Sequence, residues 1–239
     1  MERSPPLMIA MACLVVLATA AGASAYQWSA TDTLHGYDVS QGETGEIYGT
    51  DGWASSEVTF TWFVGYTSGA EYPWYYRYDI SLPAKELSHL IIEASENLDP
   101  ATTIEDWDTL GWAFAQYSES SSNPGLPQTF WGFKADLDPA SRVFGMEFNS
   151  KRLPIWGDFY LKDGTQEKED VYAYNLGFND PDPIGPIWLN MNGDLTDVHI
   201  AVPDTDDTGE PPIVPEPATW LLLISTAAVG AITRRRRSD

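Results

Sequence analysis

Through the middle of the chain the apolar residues occupy every second position. Val58, Phe60, Trp62 and Val64 form one such run, and Trp74, Tyr76, Tyr78, Ile80 and Leu82 form another. Successive side chains of an extended strand point to opposite faces, so this alternation buries one face and leaves the other toward water. Further short runs at 87–94, 129–137, 142–148, 155–161, 171–176, 187–189 and 198–202 are punctuated by the turn pairs Asp51-Gly52, Pro124-Gly125, Asp163-Gly164 and Asn192-Gly193. The pattern predicts about nine short strands and an all-β fold, a single antiparallel β-sandwich or jelly-roll-like domain over residues 26–202. The one helical candidate, 104–117, is interrupted by Gly111 and reads equally well as irregular chain. No repeat of fixed period is visible.

Such a domain has to hold itself together without covalent staples. The single cysteine, Cys13, lies inside an N-terminal apolar run, so no disulfide is available to residues 26–202. A lipoprotein signal would end that run at the cysteine, but Leu14, Val15, Val16 and Leu17 continue it. Residues 1–25 join Arg3, an apolar stretch and the small residues Ala23 and Ala25, which is the pattern of a secretory signal peptide cut after Ala25. Retention as an anchor is the alternative, although the stretch falls short of the roughly 20 residues that a spanning helix needs. What remains has the size of one ordinary domain. A chain of that size buries about 70% of its unfolded surface, enough for a core without staples.

Charge removes one class of partner. The chain carries 35 acidic against 13 basic residues, a net charge of −22. Arg3, Arg234, Arg235, Arg236 and Arg237 all lie in the two ends, so the middle is more negative still. Nucleic-acid affinity rests on basic groups that displace phosphate counterions, so DNA and RNA are excluded. The same charge suits solubility, cation binding or contact with basic polymers, and an acidic face that is merely solvated accounts for it as well.

The C-terminal residues 214–239 run from Pro215, Glu216 and Pro217 through Trp220 and an apolar stretch ending at Thr233 to the four arginines. Before them, residues 203–213 form an acidic, proline-rich linker with Asp204, Asp206, Asp207 and Glu210 and almost nothing to bury. Trp220 to Thr233 would span about 21 Å as a helix, against about 30 Å of hydrocarbon. The arginines would stay on the cytoplasmic side, and Trp220 suits the opposite interface. A plain tail anchor is one reading. The order Pro-Glu-Pro, apolar transmembrane helix, basic cluster resembles the PEP-CTERM sorting tail of exported bacterial proteins. That resemblance implies entry through the Sec export machinery, recognition and cleavage by an exosortase, an inner-membrane intermediate, and a final place at the cell surface or in extracellular matrix. Residues 154–164, with Ala173-Tyr174-Asn175 and Gly177-Phe178, also look like stretches of other tail-bearing PEP-CTERM proteins; this adds no chemistry.

For the domain itself, the expectation is a structural or adhesive role with extracellular polysaccharide, with a carbohydrate-binding module as the alternative. Trp53, Trp74, Trp107 and Trp156 sit beside polar or turn residues and are the candidate exposed rings on which a pyranose could stack. Aromatic residues in alternating strands more often pack into cores, as is expected of Trp62 and Trp131. Asn190, Asn192 and Asp194 place oxygen ligands two apart, a weak calcium candidate that lacks the rest of an EF-hand; turn formation explains the same residues. No other cofactor is indicated. His35, His89 and His199 show no metal-protease spacing, and there is no serine elbow, phosphate loop or cysteine nucleophile, so no enzymatic activity is expected.

Overall fold

The computed structural model of the protein describes residues 27–36, 45–54, 57–164, 170–184, 187 and 198–203. The signal-peptide region, most of the linker and the sorting tail lie outside them. Strands β1 (Gln27–His35), β2 (Ile47–Gly49), β3 (Thr59–Thr67), β4 (Trp74–Ser81) and β5 (Leu87–Glu93) lead to two single-turn helices, α1 (Pro100–Thr103) and α2 (Trp107–Leu110). Then follow β6 (Ala113–Tyr117), β7 (Phe130–Ser141), β8 (Val143–Ser150), β9 (Pro154–Gly157), β10 (Phe159–Asp163), β11 (Tyr172–Asn175) and β12 (Ile200–Pro203).

The strands form three antiparallel sheets, in the orders β1-β3-β4-β8, β2-β11-β10-β5-β7-β6 and β12-β9. The fold is therefore all-β, as the alternation requires. The helical candidate over 104–117 is mostly not helix: α2 ends at Gly111, whose φ of +70° is the left-handed cap that glycine adopts without strain, and the chain then extends into β6. The single run expected at 155–161 is two strands, β9 and β10, divided at Asp158, and they enter different sheets.

Alternation places the core. On β3, Phe60, Trp62, Val64 and Tyr66 point inward, and on β4, Trp74, Tyr76, Tyr78 and Ile80 do the same. Their rings meet rings of the six-stranded sheet. Phe60 stacks on Phe159 of β10 with centroids 4.0 Å apart, and Phe148 of β8 meets Phe133 of β7 at 5.8 Å. The β9–β12 ribbon joins the four-stranded sheet through Trp156 against Trp62 and through the Tyr78 hydroxyl, which donates to the Ala201 carbonyl at 2.8 Å. Several buried polar tips end on backbone carbonyls, whereas the buried Trp62 and Trp156 indole N–H groups reach no acceptor among the described residues. Tyr76 donates to Arg152, Tyr160 to Pro124 and the Trp53 indole to Ala84, which spares the cost of an unsatisfied buried donor.

This packing corrects the expectation that Trp53, Trp74 and Trp156 are exposed. All three are buried. Trp74 continues the inward period of β4 and lies 4.7 Å from Tyr66, so phase on the strand outweighs its proline and tyrosine neighbours. Trp53 ends the short helical turn Asp51–Trp53, and Trp156 is gripped by Trp62. Trp107 is half-buried against Trp112 and Phe133. Of the expected core tryptophans, Trp62 is buried, whereas Trp131 is only half-buried beside Phe114.

Two outcomes follow from this core. Phe159→Ala removes a fully buried ring that bridges the sheets and is expected to lower unfolding free energy by about 3–5 kcal/mol, read from urea midpoints. His89 is buried on β5, and burial, followed by the Lys134 charge, pushes its pKa down from 6.5 to about 4, with Lys162 adding to this and Asp136 opposing. The unfolded chain takes up a proton below pH 6.5 that the folded ring refuses until about pH 4, so this contribution is intact above 6.5 and is lost as pH falls through that window. His89→Gln does not titrate. The stability difference between wild type and variant is expected to shrink by up to about 3 kcal/mol between pH 7 and pH 4.

Candidate functional site

The strand period that buries Trp62 and Tyr76 turns Phe63 of β3 and Tyr75 of β4 the other way. Both are half-buried, with ring centroids 5.9 Å apart and planes inclined by 60°. Beside them lies a groove of about 380 Å³ lined by Trp28, Ser29, Phe63, Gly65, Tyr66, Thr67 and Tyr75. Gly65 keeps it open at the Phe63 ring, since a Cβ there would lie 3.2 Å from Phe63 Cε1. The Tyr75 hydroxyl donates to Glu147 Oε2 at 2.6 Å, and burial first, then that carboxylate, pushes its pKa up to about 12. Next along β4, Arg77 pairs with Asp79 at 2.8 Å. Aromatic faces ringed by hydroxyl and carboxylate groups suit the apolar faces and equatorial hydroxyls of pyranose rings.

A second cluster is interior. Asp158, between β9 and β10, is buried and accepts a 2.6 Å hydrogen bond on Oδ1 from Asn175 Nδ2. The same Asn175 amide donates to the Val198 carbonyl, and its Oδ1 accepts from the Phe159 backbone N–H, so Asn175 holds Asp158 in place from the end of β11. The Asp158 backbone N–H donates to Glu93 Oε2 at 2.8 Å. His199, fully buried just before β12, directs Nε2 to 3.9 Å from Asp158 Oδ1 and 3.4 Å from Oδ1 of the part-exposed Asp182. Asp158, Asp182 and His199 each place one donor atom within 4.8 Å of the others.

Two glycines make room for these groups. A Cβ on Gly177 would fall 2.5 Å from the His199 ring, and one on Gly157 would fall 2.6 Å from Val202 and 3.0 Å from Glu93 Oε2. Burial pushes the carboxyls of Glu93, Asp158 and Asp182 up. The neighbouring carboxylates raise Glu93 and Asp158 further, while His199 draws Asp182 back down.

Of the candidate sugar-stacking rings, none lines the groove, because Trp53, Trp74 and Trp156 are core and Trp107 lies on α2. The calcium candidates Asn190, Asn192 and Asp194 lie outside the described residues, as do Ala23, Ala25, Pro215, Glu216, Pro217 and the four arginines. Sequence reasoning missed Phe63 and Tyr75, although they are the out-of-phase aromatics of the two clearest strands. It also missed a row of tyrosines on the six-stranded sheet, in which Tyr48 stacks on Tyr174 at 5.0 Å and Tyr172 lies near-parallel to Tyr174 and Tyr160. Their faces cover one another, so this row is sheet packing.

Comparison with known proteins settles the other end of the chain. The family model of the PEP-CTERM protein-sorting motif matches residues 214–237, whereas no curated protein and no solved structure matches the chain. The motif implies export through the membrane, exosortase-related processing and membrane association of the tail. With Pro215, Glu216, Pro217 and the arginine cluster inside the matched span, the chain carries a PEP-CTERM protein-sorting motif at its C-terminal end.

Proposed function

We propose that the protein is displayed at the cell surface or in extracellular matrix, where its two larger sheets form a β-sandwich that adheres, without catalysing a reaction, to extracellular polysaccharide through the Phe63–Tyr75 groove. The observation that carries this reading is the groove itself: half-buried rings on an outward sheet face beside an opening of about 380 Å³. Net charge of −22 favours a neutral polymer over an anionic one. The absence of catalysis is supported by position, since Asp158 is interior and has no part in the groove lining.

Binding to neutral polysaccharides, measured by retardation in polymer-loaded gels and on a glycan array, is expected to weaken about tenfold in Phe63→Ala and in Tyr75→Ala, the loss of about 1.4 kcal/mol of stacking each. Trp107→Ala is expected to leave binding unchanged. Retention of one glycan alone would make the domain a carbohydrate-binding module with a defined sugar site; unaltered binding by both groove variants would remove the groove from the function.

The sorting step has its own test in the native host. Glu216→Ala leaves the hydropathy of the tail intact and is expected to stop processing, so that the variant accumulates in the membrane fraction still ending at Asp239. Mass spectrometry of the C-terminus checks this. Wild-type protein at the surface that still ends at Asp239 would leave a plain tail anchor as the better account.

A further inference from the structure

The geometry points to a divalent transition-metal site at Asp158, Asp182 and His199, fastening β12 and the segment after β11 to the β9–β10 corner, a role separate from polysaccharide contact. Nε2 of His199 stands 3.4 Å and 3.9 Å from the two aspartate oxygens. Adjacent donors on one tetrahedral ion with bonds of 2.0–2.1 Å are separated by about 3.3 Å. The two His199 distances need closure of less than about 1 Å, and the two aspartate oxygens, within 4.8 Å of each other, need up to about 1.5 Å, which part-exposed Asp182 is the donor with room to supply.

Three further features support an ion here. Buried carboxylates are normally paired with a cation or bound to a metal. Glu93, Asp158 and Asp182 act on one another, yet among the described residues no lysine or arginine pairs with any of them. Asn175 orients Asp158 by a 2.6 Å bond, as an outer-shell residue orients a metal-binding carboxylate. Gly177 and Gly157, where a Cβ would fall 2.5 Å from the His199 ring and 3.0 Å from Glu93 Oε2, let the backbone pass close enough to seat both side chains at the corner.

The donor set selects the ion. One imidazole with carboxylates suits Zn²⁺ or Mn²⁺, whereas Ca²⁺ and Mg²⁺ ask for six or more oxygens, many of them from water. Glu93, whose carboxylate receives the Asp158 N–H, stands ready as a supporting acceptor beside the ion.

The test uses the full chain, purified in detergent and stripped with EDTA, with Zn²⁺, Mn²⁺, Ca²⁺ or Mg²⁺ added singly. At about a hundred times Kd, Zn²⁺ or Mn²⁺ is expected to raise Tm by about 5–10 °C, and Ca²⁺ and Mg²⁺ by far less. Asp182→Asn, on a part-exposed side chain, is expected to keep or raise the metal-free Tm and to lose the shift. A variant with Asn190, Asn192 and Asp194 all changed to alanine is expected to keep the shift. No response of the wild type to Zn²⁺ or Mn²⁺ overturns the proposal. So does an undiminished response of Asp182→Asn, loss of the response in the triple variant, or an equal response to Ca²⁺ and Mg²⁺, which would report only the acidic surface.

Discussion

Everything described in this domain depends on aromatic rings from one sheet meeting rings from the other. With no cysteine in residues 26–202, the two larger sheets are held by contacts such as Phe60 on Phe159 and Phe133 on Phe148. Large aromatic side chains bury more area per residue than aliphatic ones and add a preferred geometry to it. Their polar members bring a requirement as well. Tyr76, Tyr78, Tyr160 and Trp53 each reach a backbone carbonyl, so these four polar groups are buried at little net cost.

The β9–β10 corner breaks this apolar rule. β9 leaves for a ribbon with β12 while β10 joins the six-stranded sheet, and the residue at the parting is Asp158. Backbone groups at such a parting lose their ladder partners. Here Glu93 takes the Asp158 N–H and Asn175 takes the Phe159 N–H, so side chains replace the missing strand. The carboxylates gathered for that purpose become an electrostatic burden once buried together, which is why the cation proposed at the corner would reinforce the local fold.

The strands were legible wherever one face of a strand was apolar and the other polar. β3 and β4 alternate almost without exception, and both appear in the sequence as they stand in the fold. β1, with Ser, Thr and Asp among its residues, gives no such signal because its pairing to β3 relies on backbone bonds and on hydroxyl contacts such as Thr31 to the Trp62 carbonyl. β5 and β10 are buried at most positions, since both faces are covered, and periodicity cannot divide β9 from β10 in such a run. The site was less legible than the fold. Neighbouring turn residues suggested exposure for Trp53, Trp74 and Trp156, but direction on a strand is set by phase, and phase alone would have singled out Phe63 and Tyr75. The buried cluster draws on positions 93, 158, 175, 182 and 199, far apart in the chain, and no local spacing foretells that they converge.

Charge and groove together bound the kind of contact the domain makes. At physiological ionic strength fields from the acidic surface fade within about 8 Å, so they repel an anionic polymer on approach but contribute little to a neutral one already seated. Affinity for the proposed polymer would then rest on ring stacking and on short hydrogen bonds from groups such as Glu147, which already accepts the Tyr75 hydroxyl. Because Tyr75 is tied to Glu147, its ring is oriented before any ligand arrives, and the ordering cost of binding falls on fewer side chains. On the proposed reading, each such groove would bind weakly by itself. In the proposed role, a long polymer meeting many displayed copies would gain through effective concentration, so modest stacking energy at one groove would suffice for adhesion across a surface.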